Sequence, residues 1–268
     1  MLFRSMKNSL ISTFVRHFQP RMTDAREPDP LAYGSFNEFF TRELKDGVRT
    51  VDQDARTVVS PVDGTVSQIG SLEAHRLLQA KNRHYALADL MGGDSEWTRR
   101  FAGGSFATLY LAPYDYHRIH MPHTGRLAAA WFVPGRLFSV NAVTAASVAG
   151  LFARNERVVC CFESERAPFA IVLVGALFVG SMATVWHGDV TPRRQRRTTP
   201  LPLEGGAAPL ELAKGAEMGR FNMGSTVIVV FPPRTLEWRE GLTAGSLVRM
   251  GEPIWRSEER RVGKECRS

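Results

Sequence analysis

Nowhere does the chain of 268 residues hold an uninterrupted apolar run of the roughly 20 residues that a membrane-spanning helix needs. No small-residue cleavage site follows its first apolar segment either, so neither a spanning helix nor secretion is expected. Cysteine is scarce: Cys160, Cys161 and Cys266 are the whole supply. An adjacent pair suits no ordinary structural disulfide, and zinc-ligand spacing is missing, which fits a reducing compartment. HExxH, GxSxG and internal repeats are also lacking. Charge of one sign is only mildly in excess, at +7. Two of those charges come from the last thirteen residues, Arg256 to Ser268 (RSEERRVGKECRS), with five basic and three acidic side chains. That string resembles a read-through of a sequencing adapter, so 256–268 is set aside as a non-native tail. The remaining charge lacks the interleaved aromatics of a nucleic-acid surface, and nucleic acid is not an expected partner.

What is present begins with an amphipathic helix. From Leu2 to Phe18 the residues Leu2, Phe3, Met6, Leu10, Phe14 and Phe18 recur at spacings of three and four, widened by Ile11 and Val15, opposite Arg4, Lys7, Arg16 and His17. Such a helix can pack on its own domain or lie in an anionic lipid interface, where each basic residue adds about 1 kcal/mol. Residues 1–34 are therefore read as an interfacial helix and linker, and 35–255 as the catalytic domain. Ser35 and Glu38 have capping-box spacing ahead of the apolar face Phe36, Phe39, Phe40 and Leu44.

Beyond this point short apolar runs separated by Gly and Pro predict strands at Thr65–Ile69, Phe106–Ala112, Val158–Phe162, Phe169–Val174, Phe178–Trp186, Val227–Phe231 and Leu247–Met250. Helices are expected at Tyr85–Met91 and Val140–Val148. Few helices fall between strands, which argues for an α+β fold with a mainly antiparallel, sandwich-like β body and N-terminal amphipathic helices. Arg193, Arg194, Arg196 and Arg197 read as a solvated turn or a phosphate-facing loop.

Three segments carry chemistry. In APYDYHRIHMPHTG (112–125), His117, His120 and His123 recur every three residues. Imidazole ligates zinc, but this step puts strand neighbours on opposite faces, and Pro122 interrupts any helix, so no metal is expected. Asp63, between Pro61 and the strand at Thr65, sits where a loop carboxylate can orient an imidazole. Gly224-Ser225 precedes the apolar run Val227–Phe231. Singly, each reads as a turn residue or a solvated histidine. Together they supply a nucleophilic serine site, open to use on an external substrate, as in a serine hydrolase, or on the chain itself. A non-catalytic β-sandwich binding module would need none of this convergence.

Ser60–Gly64 (SPVDG), the run Tyr114–Pro122, VPGRLFSVN (133–141), LFARNER (151–157) and MGRFNMGST (218–226) occur in an order and spacing that resemble bacterial phosphatidylserine decarboxylase proenzymes, from about Phe36 to Ile254. The resemblance implies autocatalytic cleavage at Gly224-Ser225, with Asp63, His120 and Ser225 as a triad and Ser225 converted to a covalent pyruvoyl group. It further implies a Schiff base between that group and phosphatidylserine, loss of carbon dioxide and release of phosphatidylethanolamine, with His117 as proton donor or substrate-positioning residue and Ser139 near the substrate. His123 has no such match. The implied assembly is a heterodimer of the cleaved chains within a homodimer, peripheral on the cytoplasmic face of the bacterial membrane. The segment before Thr23 is short for such proteins, and truncation at both ends is expected.

Overall fold

A computed structural model of the chain describes residues 2–73, 75–80, 83–177, 181–190, 197–202, 210–222 and 225–256. Gly224, the loop arginines Arg193, Arg194 and Arg196 and nearly all of the tail therefore lie outside the described residues.

Helix α1 spans Leu2–Phe18 and ends where Gln19 turns to a φ of 50° and Pro20 removes the next amide donor. Helix α2 spans Phe36–Phe40. Ser35 Oγ accepts from the Glu38 amide at 3.1 Å, while the Glu38 carboxylate reaches back to the Gly34 amide at 2.8 Å, one residue earlier than in a capping box. Leu44 lies beyond this helix, bridged to Ala25.

The body is built on a nine-stranded antiparallel sheet. Its main strands are β1 (Gly64–Ser71), β2 (Ser105–Leu111), β4 (Gly125–Val133), β5 (Arg157–Glu163), β6 (Phe169–Val174) and β10 (Ser225–Phe231). A smaller sheet of four contains β3 (Arg118–His120), β7 (Met182–Thr184), β8 (Gly188–Val190) and β9 (Glu217–Phe221). Spatial order in the large sheet runs β4, β5, β6, β10, β2, β1. Strands β6 and β10 lie at its centre, and Phe169–Val174 and Val227–Val230 are fully buried. That explains their unbroken apolar sequences, since both faces of these strands are covered. Met182, Met218, Phe221 and Ile119 of the smaller sheet join the same core.

The mainly antiparallel α+β architecture is thus as expected. Four of these strands were not expected: β4, whose Ala128–Ala130 interrupts the alternation of large residues, β9, whose glycine and arginine dilute its apolar content, and the three-residue β3 and β8. In the expected strand at 178–186 the described part is a strand only over Met182–Thr184. Tyr85 and Ala86 belong to a strand, and the helix expected there starts at Leu87. Cys160 and Cys161 are free, buried thiols.

Candidate active site

Asp63 ends the turn before β1, where Ser60 Oγ donates to the Val62 carbonyl at 2.7 Å. Gly64 follows because a Cβ there would meet the Tyr110 carbonyl oxygen at 2.4 Å. Asp63 is 8% exposed, and its carboxylate accepts from Arg49 Nε at 3.0 Å and from the Met250 amide at 2.9 Å. Its hydrogen bonds hold the Arg49 guanidinium above its usual pKa. The expected hydrogen bond from the His120 ring to Asp63 is not among those formed. A guanidinium fork is the stronger partner for a carboxylate, and Arg49 occupies it.

His120 lies on β3, its amide donating to the Pro61 carbonyl at 2.8 Å, so the loop bearing Asp63 is laced to this strand. Its Nδ1 lies 2.8 Å from the Gly215 carbonyl, which can only accept, so Nδ1 carries the hydrogen and Nε2 is a lone-pair acceptor. Tyr116 Oη stands 2.9 Å from that Nε2 and donates to it. Burial holds the His120 pKa below the ordinary value, opposed by Glu217 and Asp63 among other groups. His120 is therefore a neutral base with Tyr116 on its reactive nitrogen.

His117 is fully buried and stacked on Phe40 of α2, ring centroids 4.0 Å apart. Its Nε2 lies 3.1 Å from the Ala112 carbonyl, which assigns the hydrogen to Nε2 and leaves Nδ1 a buried acceptor without a partner. Burial first, then the positive charge of Arg42, pushes its pKa down to about 3.

Position 225 opens β10 at the centre of the sheet, opposite Leu111 of β2. On its other side Thr226 faces Val174, so one further step sets position 225 opposite Gly175. His117 is tied to Ala112, the residue after Leu111, and its carbonyl accepts from the Phe221 amide at 3.1 Å. This histidine is thus attached to the end of β2, whose Leu111 faces position 225. Gly64, opposite Leu111 by the same one-step extension of the β1–β2 register, is two strands from position 225, about 10 Å across the sheet.

Ser139 lies half-buried in the loop 134–141. Buried Asn155 staples that loop to the sheet: its Nδ2 donates at 2.8 Å to the carbonyls of both Phe138 and Gly175, and its Oδ1 accepts from the Phe138 amide. His123 lies apart, its ring nitrogens near the carbonyls of Thr124 and Ala55. Arg49, Asn155 and the Gly215 carbonyl were not expected, because they act through contacts distant in sequence; Tyr116, four residues from His120, was not expected either. A mixed-charge cavity of about 240 Å³ opens beside Asp63, with Arg42, Arg49, Tyr114 and Asp115 in its wall.

The profile of the phosphatidylserine decarboxylase family matches residues 36–256 of the chain. The chain belongs to this family. Among its relatives, the phosphatidylserine decarboxylase proenzyme of Ectopseudomonas mendocina is 52% identical over 92% of this chain and 86% of its own length. That of Pseudomonas aeruginosa strain UCBPP-PA14 is 53% identical over 92% and 85%, and that of Bordetella pertussis 51% over 93% and 84%. The family is one of carboxy-lyases that start as proenzymes, which does not favour the serine hydrolase alternative.

Proposed function

We propose that the chain cuts itself between Gly224 and Ser225 and then decarboxylates phosphatidylserine to phosphatidylethanolamine. The observation that carries this reading is the place of position 225. As first residue of a central strand, it can become a chain terminus without losing its position. Seven residues of β10 pair with β2 and five with β6. Burying Val227 to Phe231 contributes roughly 10 kcal/mol as an upper bound, so the light chain stays in place without a covalent link.

For the cut, His120 is the base that takes the Ser225 hydroxyl proton as the oxygen attacks the Gly224 carbonyl. Tyr116 must first release Nε2. The imidazolium that forms keeps its ring orientation through the Gly215 carbonyl and is favoured by the negative charges of Asp63 and Glu217. Asp63 acts through charge, held in place by Arg49 and the Met250 amide.

A pyruvoyl group at position 225 would supply the electron sink for decarboxylation. The site fits such a group: its residue is fixed on both flanks by strand pairing, and His117, tied to the residue after its partner Leu111, carries an orphan Nδ1. Neutral His117 can accept a hydrogen bond from the substrate amine, which makes it a positioning group.

No described helix is long and apolar enough to cross a membrane. Helix α1 packs inward through buried Ile11 and through Phe14, whose ring lies 5.3 Å from that of Phe36, while Met6 and Leu10 remain 66% and 55% exposed. Its two possible uses are thus divided between two faces, and we assign the exposed one to the cytoplasmic leaflet. Carbon dioxide release from phosphatidylserine in mixed micelles tests the activity: the wild-type chain is expected to release it, and a correctly cleaved chain that does not would refute the assignment.

A further inference from the structure

The substrate carbon that loses carbon dioxide must regain a proton, and neither histidine is arranged to give one. The ring hydrogen of His117 faces the Ala112 carbonyl and that of His120 faces the Gly215 carbonyl; the other nitrogen of each ring can only accept.

On the opposite flank of position 225 lies Glu156, in the LFARNER segment. Its carbonyl accepts from the Gly175 amide at 2.9 Å, which sets it opposite Gly175 just as Gly175 stands opposite position 225. Gly175 therefore lies between Glu156 and residue 225, whose backbones stand about 10 Å apart across the sheet. A Cβ on Gly175 would stand 3.2 Å from Glu156 Cγ, so the glutamate side chain already lies across that glycine. Glu156 is 5% exposed, and its Oε1 is buried without a hydrogen-bond partner. The adjacent cations are engaged elsewhere: Arg157 donates to the carbonyls of Leu90, Ala153 and Asn155, and Arg154 lies over the Phe138 ring. Burial alone raises the Glu156 pKa, with no charged neighbour opposing it. A desolvated carboxyl with an unpaired oxygen is shifted toward its neutral form, the form that can give a proton.

We propose that Glu156 is the acid that protonates the substrate α-carbon, a catalytic role that rests on the decarboxylase reading above. As the bond from the α-carbon to the carboxylate breaks, carbon dioxide leaves and the electron pair remains behind, delocalised toward residue 225. The Glu156 proton forms the new C–H bond, and the resulting carboxylate is reprotonated by solvent before the next turnover. His117 on one flank then accepts and Glu156 on the other donates.

The test compares Glu156→Gln with wild type as purified, processed enzymes on phosphatidylserine micelles. The variant keeps size and polarity but has no acidic proton. It is expected to cleave at 224–225 as wild type does, with turnover falling about 100-fold and KM little changed. It should also show misdirected protonation. A solvent proton arriving at the carbon of residue 225 leaves the nitrogen on the protein, and water then releases the headgroup as an aldehyde. The light chain would thereby gain an N-terminal alanine, visible by intact mass, which a purely structural role would not produce. Glu156→Asp should restore part of the turnover. Independently of activity, infrared titration of the uncleaved Ser225→Ala chain should show a carboxylic acid band persisting above the ordinary glutamate range and lost in the Ser225→Ala, Glu156→Gln chain. Wild-type turnover in Glu156→Gln, or absence of that band, overturns the proposal. A wild-type chain that neither cleaves nor releases carbon dioxide would instead remove the decarboxylase reading itself.

Discussion

Two polar regions lie at the same end of the large sheet, and they differ in how completely their hydrogen bonds are made. Around Asp63 and His120 the reactive groups are satisfied: the carboxylate is held by Arg49 and the Met250 amide, and both imidazole nitrogens have partners. Around position 225, His117 Nδ1 and Glu156 Oε1 are buried and unpaired. An orphaned buried polar atom costs about 1–3 kcal/mol. Two of them on opposite sides of one strand start suit a place shaped for a ligand, whereas the satisfied pair must break bonds before it reacts. The first suits chemistry repeated at every turnover, and the second suits a cut made once.

Ser225→Ala should have the largest effect, abolishing both cleavage and activity while the chain stays folded, as electrophoresis and circular dichroism would show. Next, the two histidines should separate. His120→Ala is expected to slow cleavage by about 100-fold or more, the usual contribution of a positioned base. His117→Ala should cleave normally yet decarboxylate about 100-fold more slowly; failure to cleave would erase the distinction between the two regions.

A smaller effect concerns pH. The pKa of buried His117 is about 3 in the fold, against about 6.5 unfolded. Below 6.5 the unfolded chain binds the extra proton, so the stability due to this group is present above that pH and is lost as pH falls toward 3. Asp115, pushed up to about 6 by burial, acts in the opposite sense below that value. The comparison therefore needs a variant: in urea melts of Ser225→Ala, adding His117→Asn should flatten the loss of midpoint between pH 7.5 and 5. Smallest is Tyr116→Phe. Removing the donor from His120 Nε2 while the Gly215 carbonyl still holds the ring should speed cleavage up to about tenfold, the worth of one hydrogen bond. Slower cleavage would mean that Tyr116 orients the base.

Much of the fold was legible because its central strands are fully buried and therefore continuously apolar, as Phe169–Val174 and Val227–Phe231 are. Strand β4 was not, since Ala128, Ala129 and Ala130 give neither period. Asp63, His117, His120 and Ser225 were singled out by short sequence segments, but the groups that hold them were not: nothing local says that Arg49 holds Asp63, or that the Gly215 carbonyl fixes the tautomer of His120. Glu156 stood in a recognised segment with no role, and only strand register places it one glycine from position 225.

Residue 225 must become a chain terminus, and intact mass measurement of the purified wild-type protein under denaturing conditions tests that most directly. Two chains are expected, the lighter one starting at position 225 and lacking an N-terminal amine. A single uncut chain, or a light chain that begins with serine, would contradict it.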